Sequence, residues 1–284
     1  MVSPILWSSL VLVISQIFTI FTAFRERDFI ETYQITPPQV PLGIPVAYFF
    51  GAVVLLGVFL LLIPTSKLRM AMKIIFALLF SWGMFIGLGF SLPVALAAII
   101  SITGVLLWFF QPLVWLHNLL MIVTLVSVGS VFGFLLSPWT AISFMLVVSV
   151  YDLLAVRFGY MMWMAKKLSQ SDALPAFVIP RTISDWNLNL KAAGFTKLFE
   201  GESAEREFSI LGGGDIGFPL LLVVSVFFAY GFTKSVIVAA FSLLGLICAY
   251  LIQMLFLKGK PMPALPPIFL ASLVGFLIVY LSSA

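Results

Sequence analysis

The 78 residues from Ile74 to Tyr151 include no Asp, Glu, Lys or Arg. Similar apolar runs of about 20 residues, the length that spans a bilayer as a helix, recur along the whole chain. The composition agrees, because 62% of the residues are hydrophobic and 9% are charged, against roughly 25% charged in a soluble domain. The alternation over about ten residues that is typical of a transmembrane β-barrel is absent. The sequence therefore predicts an all-α polytopic membrane protein.

Apolar runs between charged residues predict nine transmembrane helices. They lie near 4–24, 43–63, 70–90, 94–110, 113–136, 139–164, 215–232, 235–257 and 265–283. The one long connection separates the sixth helix from the seventh, so the chain divides into three parts. These are a six-helix block (1–164), a loop (165–214) and a three-helix block (215–284). No internal repeat is evident, which counts against transporter folds that are built from duplicated halves.

The basic residues predict how these helices are oriented. Of the 15 Lys and Arg residues, twelve lie on the side of the long loop and three lie on the opposite side. Because basic residues concentrate in cytoplasmic loops, we expect a cytoplasmic N-terminus and long loop, with an extracytoplasmic C-terminus, in a cell membrane. The net charge of +4 is thus a topology signal, and we expect no nucleic-acid partner.

Two acidic residues lie inside the predicted helices, Asp152 in the sixth and Asp215 at the start of the seventh. A charged group within a membrane helix costs about 3 kcal/mol, so it usually marks a functional site, although an ion pair would explain either residue alone. At 1.5 Å per residue, Asp152 lies about 21 Å and Asp215 about 25 Å from the outer ends of their helices. Two carboxyl groups at matching depth can share one proton and activate water, as aspartic proteases do without a metal.

Three other features accompany these carboxylates. The stretch 212–214 is three glycines, which favour non-helical backbone and a close approach of water and substrate. Four prolines within 261–267 exclude helix before about Ile268, so this segment is expected to enter the membrane as an irregular loop, or else to be an ordinary interfacial loop. The segment 207–214 has strand composition and could hold an unwound substrate by strand addition. His117 is expected to be a buried histidine with its hydrogen bonds satisfied.

Together these features resemble the presenilin and signal-peptide-peptidase family of intramembrane aspartyl proteases. That family has Tyr-Asp in the sixth helix, Gly-x-Gly-Asp at the seventh and Pro-Ala-Leu before the ninth. The three motifs read here Tyr151-Asp152, Gly212-Gly213-Gly214-Asp215 and Pro263-Ala264-Leu265. The predicted cytoplasmic N-terminus matches the presenilin branch. Without the long extensions of animal presenilins, the chain looks like a prokaryotic, specifically archaeal, homologue.

The resemblance implies that Asp152 and Asp215 are the catalytic pair of an intramembrane aspartic endopeptidase that needs no cofactor or metal. It also implies that Tyr151, the glycines at 212–214 and the segment 263–265 shape the substrate site. The expected partners are the lipid bilayer and transmembrane helical protein substrates. A proton- or cation-coupled transporter that relays protons through the two aspartates is the alternative function.

Overall fold

The computed structural model of the protein describes residues 4–36, 43–159, 174–190, 208–256 and 262–283. Within these ranges the chain forms nine α-helices, a two-stranded β-sheet and one 3-10 turn. The helices are Pro4–Tyr33 (α1), Gly43–Leu62 (α2), Thr65–Gly89 (α3), Val94–Phe110 (α4), Val114–Leu135 (α5), Pro138–Arg157 (α6), Gly213–Tyr230 (α7), Phe232–Leu255 (α8) and Leu265–Leu281 (α9). The strands are Ala176–Pro180 (β1) and Phe208–Gly212 (β2), with the 3-10 turn Ile183–Asn187 (η1) between them.

The described helices have the lengths and the surface of a membrane protein. Six of them (α1, α3, α5, α6, α7 and α8) are long and apolar enough to cross a membrane, and α4 and α9 are shorter apolar helices. Large apolar side chains are exposed on the outside of the bundle, as Leu78 (66% exposed) and Phe110 (71%) illustrate. Such a surface suits lipid rather than water. The prediction of an all-α polytopic membrane protein is confirmed.

Two helix ends differ from their predicted positions. The first helix continues beyond residue 24 through a charged turn, in which Arg27 pairs with Glu31 at 3.7 Å. Arg and Glu favour helix, so α1 continues until Gln34 adopts a left-handed φ of 51°. The sixth helix ends at Arg157 rather than near 164, because the chain turns at Gly159, whose φ is 70°.

Helix α5 lies at the centre of the bundle, where it packs against α1, α3 and α7. Glycines make these contacts close. A Cβ on Gly83 of α3 would lie 2.7 Å from Thr124 Cγ2 on α5, and a Cβ on Gly133 of α5 would lie 2.5 Å from Val224 Cβ on α7. Each helix has a second glycine four residues away, Gly87 on α3 and Gly129 on α5, which also lies at a helix contact. Such pairs of small residues let helix backbones approach closely in membranes.

The antiparallel sheet lies beside the start of α5 and α7. Strand β2 lies within 207–214, the segment whose composition is typical of a strand. The five buried residues of β1 were predicted only as part of the loop at 165–214. The segment after η1 is tied to the α4–α5 turn, since Val114 N–H donates to Leu188 O at 3.1 Å. The described part of the predicted loop is thus folded against the helices.

Candidate active site

Asp215 is the third residue of α7, the helix that follows directly on strand β2. Its carboxylate lies over Gly212, whose backbone N–H donates a hydrogen bond to it. A Cβ on Gly212 would lie only 2.9 Å from Asp215 Oδ2. The first turn of a helix also carries unpaired N–H groups and a partial positive charge, both of which favour a carboxylate there. The strand–helix junction therefore fixes the position of the half-buried Asp215 side chain.

The glycines before this aspartate serve to make room. Gly212 ends β2, while Gly213 and Gly214 are the first two residues of α7. The prediction of non-helical backbone is therefore wrong for Gly213 and Gly214. A Cβ on Gly213 would lie 2.9 Å from Met121 Cε and 3.1 Å from the Pro175 carbonyl oxygen. Since that oxygen accepts the Gly213 N–H at 2.9 Å, only glycine lets α7 begin this close to α5 and to the segment before β1.

Asp152 lies on α6 and meets the start of α9. The backbone N–H of Leu265, the first residue of α9, donates a hydrogen bond to the Asp152 carboxylate. This N–H is available because the first N–H groups of a helix have no partner within the helix. The packing of α6 against α9 thus brings Asp152 to the Pro-Ala-Leu segment, in which Pro263 and Leu265 are buried and Ala264 is half-buried.

The prolines do not delay the ninth helix as the sequence led us to expect. Pro266 and Pro267 lie in the first turn of α9, so the expectation of helix only from about Ile268 is wrong. In a first turn the missing proline N–H would be unpaired in any case, and the proline φ already suits a helix. The helix can therefore start at Leu265 and direct the free N–H of this residue at Asp152.

The two aspartates predicted to face each other lie within electrostatic range of one another. Helices α6 and α7 pack together, and the carboxyl groups of Asp152 and Asp215 lie close enough for their charges to interact. Both side chains are half-buried. Tyr151, the residue before Asp152 on α6, is also half-buried, and its part in a substrate site stays a prediction. The fold thus brings all three motifs together. The Tyr-Asp and Gly-x-Gly-Asp motifs approach through their carboxyl groups, and the Pro-Ala-Leu motif contacts Asp152 through the Leu265 N–H.

Polar groups on α5 contact β1 behind this site. Asn118 Nδ2 donates to Val178 O at 2.7 Å, and Val178 N–H donates to Asn118 Oδ1 at 3.0 Å. His117 Nε2 lies 3.1 Å from Ala176 O. Both side chains are buried, so the burial expected for His117 is confirmed. Its hydrogen bonding is satisfied only in part, because within the described residues Nε2 makes a hydrogen bond of ordinary geometry and Nδ1 does not. The importance of Asn118 was missed, because one asparagine in an apolar run gives no indication of its partner.

Tyr250 on α8 also reaches the site, and no sequence signal indicated it. Its hydroxyl lies 2.5 Å from Ser8 Oγ on α1. It also hydrogen-bonds the Ser209 side chain on β2, and it lies within electrostatic range of Asp215. These partners come from three different elements, so the spacing of residues along α8 could not reveal them.

A third buried carboxylate lies away from the two aspartates. Glu26, on the extended part of α1, is 3% exposed and accepts a hydrogen bond from Ser130 Oγ near the end of α5. The sequence placed Glu26 outside the first membrane helix, because Arg25 and Arg27 flank it. It contacts α5 toward the end opposite Met121, the residue beside Gly213, and therefore serves helix packing rather than the site.

Comparison with known proteins identifies the same family that the sequence motifs resemble. The family model described as "Signal-peptide peptidase, presenilin aspartyl protease" matches residues 9–284. The chain therefore belongs to this family. Sequence comparison with curated proteins gives no significant match.

Two solved structures have a similar fold. One is titled "Structure of a presenilin family intramembrane aspartate protease in C222 space group"; it aligns with a TM-score of 0.65 at 19% identity, over 98% of this chain and 99% of its own. The other is the structure of a presenilin family intramembrane aspartate protease in P2 space group, with a TM-score of 0.60 at 19% identity, over 98% and 97%.

Family and fold define a multi-pass intramembrane aspartyl protease. Neither comparison supports the alternative of a coupled transporter.

Proposed function

We propose that Asp152 and Asp215 are the catalytic dyad of an endopeptidase that hydrolyses peptide bonds within transmembrane segments of membrane proteins. The observation that carries this proposal is that two carboxyl groups from α6 and α7 lie within electrostatic range, each held by a backbone N–H from a different element. Such fixed carboxylates suit catalysis, because their geometry is set before substrate arrives.

The chemistry follows from two carboxyl groups that cannot both ionise easily at short range and therefore share a proton. The ionised carboxylate takes a proton from a water molecule as the water oxygen bonds to the scissile carbonyl carbon. The protonated carboxyl donates a hydrogen bond to the carbonyl oxygen. A proton then passes to the amide nitrogen as the C–N bond breaks, which releases the amine and the new carboxyl end. These steps use no metal or cofactor.

The substrate has to present an extended backbone to the dyad, because a helix hides its peptide bonds in internal hydrogen bonds. Among the described residues β2 has only β1 as a strand neighbour, so one edge of β2 is available for pairing. Gly212 N–H points from that edge to Asp215. A substrate strand paired along this edge would therefore run toward the dyad, in the manner of strand addition.

The remaining motif residues line the approach to the dyad in this proposal. Gly212 leaves room for the Asp215 carboxylate, Gly213 lets α7 begin close to α5, and the exposed Gly214 directly precedes Asp215. The segment Pro263–Leu265 presents backbone beside Asp152. Tyr151 precedes Asp152 on α6 and would contribute an aromatic wall. The orientation belongs to the same proposal: the N-terminus and the sheet face the cytoplasm, and the C-terminus lies outside.

The test uses purified protein with a fluorescent transmembrane substrate in detergent or liposomes. Asp152→Ala and Asp215→Ala should each lower cleavage by about a thousandfold or more, because neither carboxyl can do both proton transfers alone. Asp185→Ala is the matched control, since this aspartate lies on η1 and bonds Thr182 at 2.5 Å; its activity should equal wild type. Cleavage that persists in either dyad variant contradicts the proposal, as does proton-linked uptake into liposomes by a wild type that cleaves nothing.

A further inference from the structure

The outer edge of β1, the edge away from β2, is paired with side chains of α5. In an antiparallel strand, successive residues direct their N–H and C=O groups to opposite edges. Val178 exchanges both hydrogen bonds with the Asn118 side chain, and Ala176 C=O accepts from His117. Residues 176 and 178 therefore direct their backbone groups at α5. The Asn118 amide takes the place that a residue of a third strand would occupy.

This alternation also defines the direction of the backbone groups of β2. Val178 is paired with Ile210 in the register of the sheet. Because Val178 directs its groups away from β2, the pair is of the non-hydrogen-bonded type, and Ile210 directs its own N–H and C=O away from β1. Gly212 lies two residues after Ile210, so its backbone groups also face away from β1, and its N–H reaches Asp215. The sheet thus has one edge closed by α5 and one edge that leads to the aspartates.

We propose that Asn118, assisted by His117, is a positioning residue that closes the outer edge of β1 and fixes the sheet relative to the dyad, so that substrate pairs with β2 in one register. The inference rests on the proposed function and deepens it, because it assigns the accuracy of the cleavage position to a side chain that touches neither the substrate nor the aspartates. An unclosed edge would offer a second place for strand pairing. A loosened β1 would also let β2 shift along Asp215.

Asn118→Leu tests the inference, because leucine has a similar size and neither of the two hydrogen bonds. Cleavage products of a transmembrane substrate are identified by mass spectrometry, and kcat and KM are measured per active enzyme. We expect cleavage at additional neighbouring bonds and a rise in KM of about tenfold, the loss that one buried hydrogen-bonded group typically causes. The summed kcat should fall by less than about threefold, because the dyad itself is unchanged.

Gln16→Leu is the matched control. Gln16 is also a buried amide with two hydrogen bonds, to Ala239 O at 3.0 Å and Ser242 Oγ at 2.7 Å on α8. Its loss should lower the melting temperature about as much as Asn118→Leu and leave the cleavage position and KM at wild-type values. A general loss of stability would affect both variants alike, whereas a positioning role changes the products of Asn118→Leu alone.

Two further variants keep the inference testable if Asn118→Leu does not fold. His117→Phe keeps an aromatic ring that can pack against Phe80 and Trp108. It loses the bond to Ala176 and the interaction with the Leu174 backbone, so a smaller shift of the same kind is expected. Asn118→Gln retains the amide and should restore part of the wild-type cleavage pattern. An unchanged cleavage position and KM in folded Asn118→Leu or His117→Phe overturns the inference. Failure of wild type to cleave at all contradicts the proposed function instead.

Discussion

At the residue scale, hydrogen bonds rather than charges hold the candidate site together. Asp215 is held by the N–H of Gly212, and Asp152 is held by the N–H of Leu265. Tyr250 adds a link from α8, since its hydroxyl bonds Ser8 and Ser209. Substitutions other than proline leave backbone donors in place, so the Tyr250 hydroxyl is the hydrogen-bonding group of this arrangement that a conservative side-chain substitution can remove.

Tyr250→Phe removes two hydrogen bonds, of which only the one to Ser209 reaches β2. It should therefore lower kcat/KM by about threefold to tenfold, the effect of one neutral hydrogen bond. The ring that fills the space is retained, so folding should be unaffected, while β2 loses its tie to α8 through Ser209. Steady-state kinetics with the transmembrane substrate measure the change. Tyr280→Phe is the control, because Tyr280 packs on Trp139, with ring centroids 5.3 Å apart, near the other end of α9. An equal loss in both variants would contradict a specific role of Tyr250.

At the element scale, the short strand β2 connects the predicted substrate path to the start of α7. Its five residues pair with β1 in one register, and a two-stranded sheet of this size is not stable by itself. The sheet persists because α5 closes the edge of β1 and because Gly213 N–H bonds Pro175 O at 2.9 Å. In the part of the chain that the structure describes, the strand is therefore paired on one side and has no strand partner on the other.

Ile210→Pro should abolish the pairing of substrate without breaking the sheet. The Ile210 N–H points away from β1, and proline is tolerated in a strand where its N–H would face away from the partner. We expect kcat/KM to fall by about tenfold or more, because one ladder hydrogen bond to substrate is lost and the ring obstructs pairing. Ile210→Val keeps the N–H and should remain close to wild type. Wild-type kinetics in a folded Ile210→Pro protein would rule out pairing along this edge.

At the scale of the whole molecule, the sheet and the α4–α5 turn lie at one end of the bundle, joined by the bond from Leu190 N–H to Pro112 O at 2.8 Å. The α7–α8 turn forms at Gly231, where a φ of 90° suits glycine and lets two helices follow each other directly. Since α7 runs between these two features, they lie on opposite sides of a membrane that α7 spans. The distribution of basic residues predicts that the sheet is on the cytoplasmic side.

Cysteine labelling in intact cells tests this orientation. In a Cys248→Ser background, which removes the single native cysteine, Thr233→Cys should react with a membrane-impermeant maleimide. Ile183→Cys, on the 73% exposed first residue of η1, should react only after the membrane is permeabilised. Both positions are exposed on the protein surface, so a difference in labelling reports the side of the membrane on which each cysteine lies. The reverse pattern would mean that the protein is inserted with the sheet outside.

Features that depend on neighbours along the chain were predictable. The apolar lengths indicated nine helices, and matching depth indicated that Asp152 and Asp215 could meet. The composition of 207–214 indicated β2. Local rules failed at helix starts such as Leu265, where proline suits a first turn, and at the charged end of α1 around Glu26.

The sequence by itself determined the class of fold, the nine helices of the described residues and the two carboxylates, because hydrophobic length, glycine, proline and charge act locally or through the bilayer. The tertiary structure alone decided that Asn118 closes β1, that Tyr250 reaches β2 and that Leu265 N–H meets Asp152. Tyr250 and Ser8 are 242 residues apart, and such partners come together only through the packing of helices. The physical reason is that packing depends on the shapes of whole faces, which a short stretch of sequence does not specify.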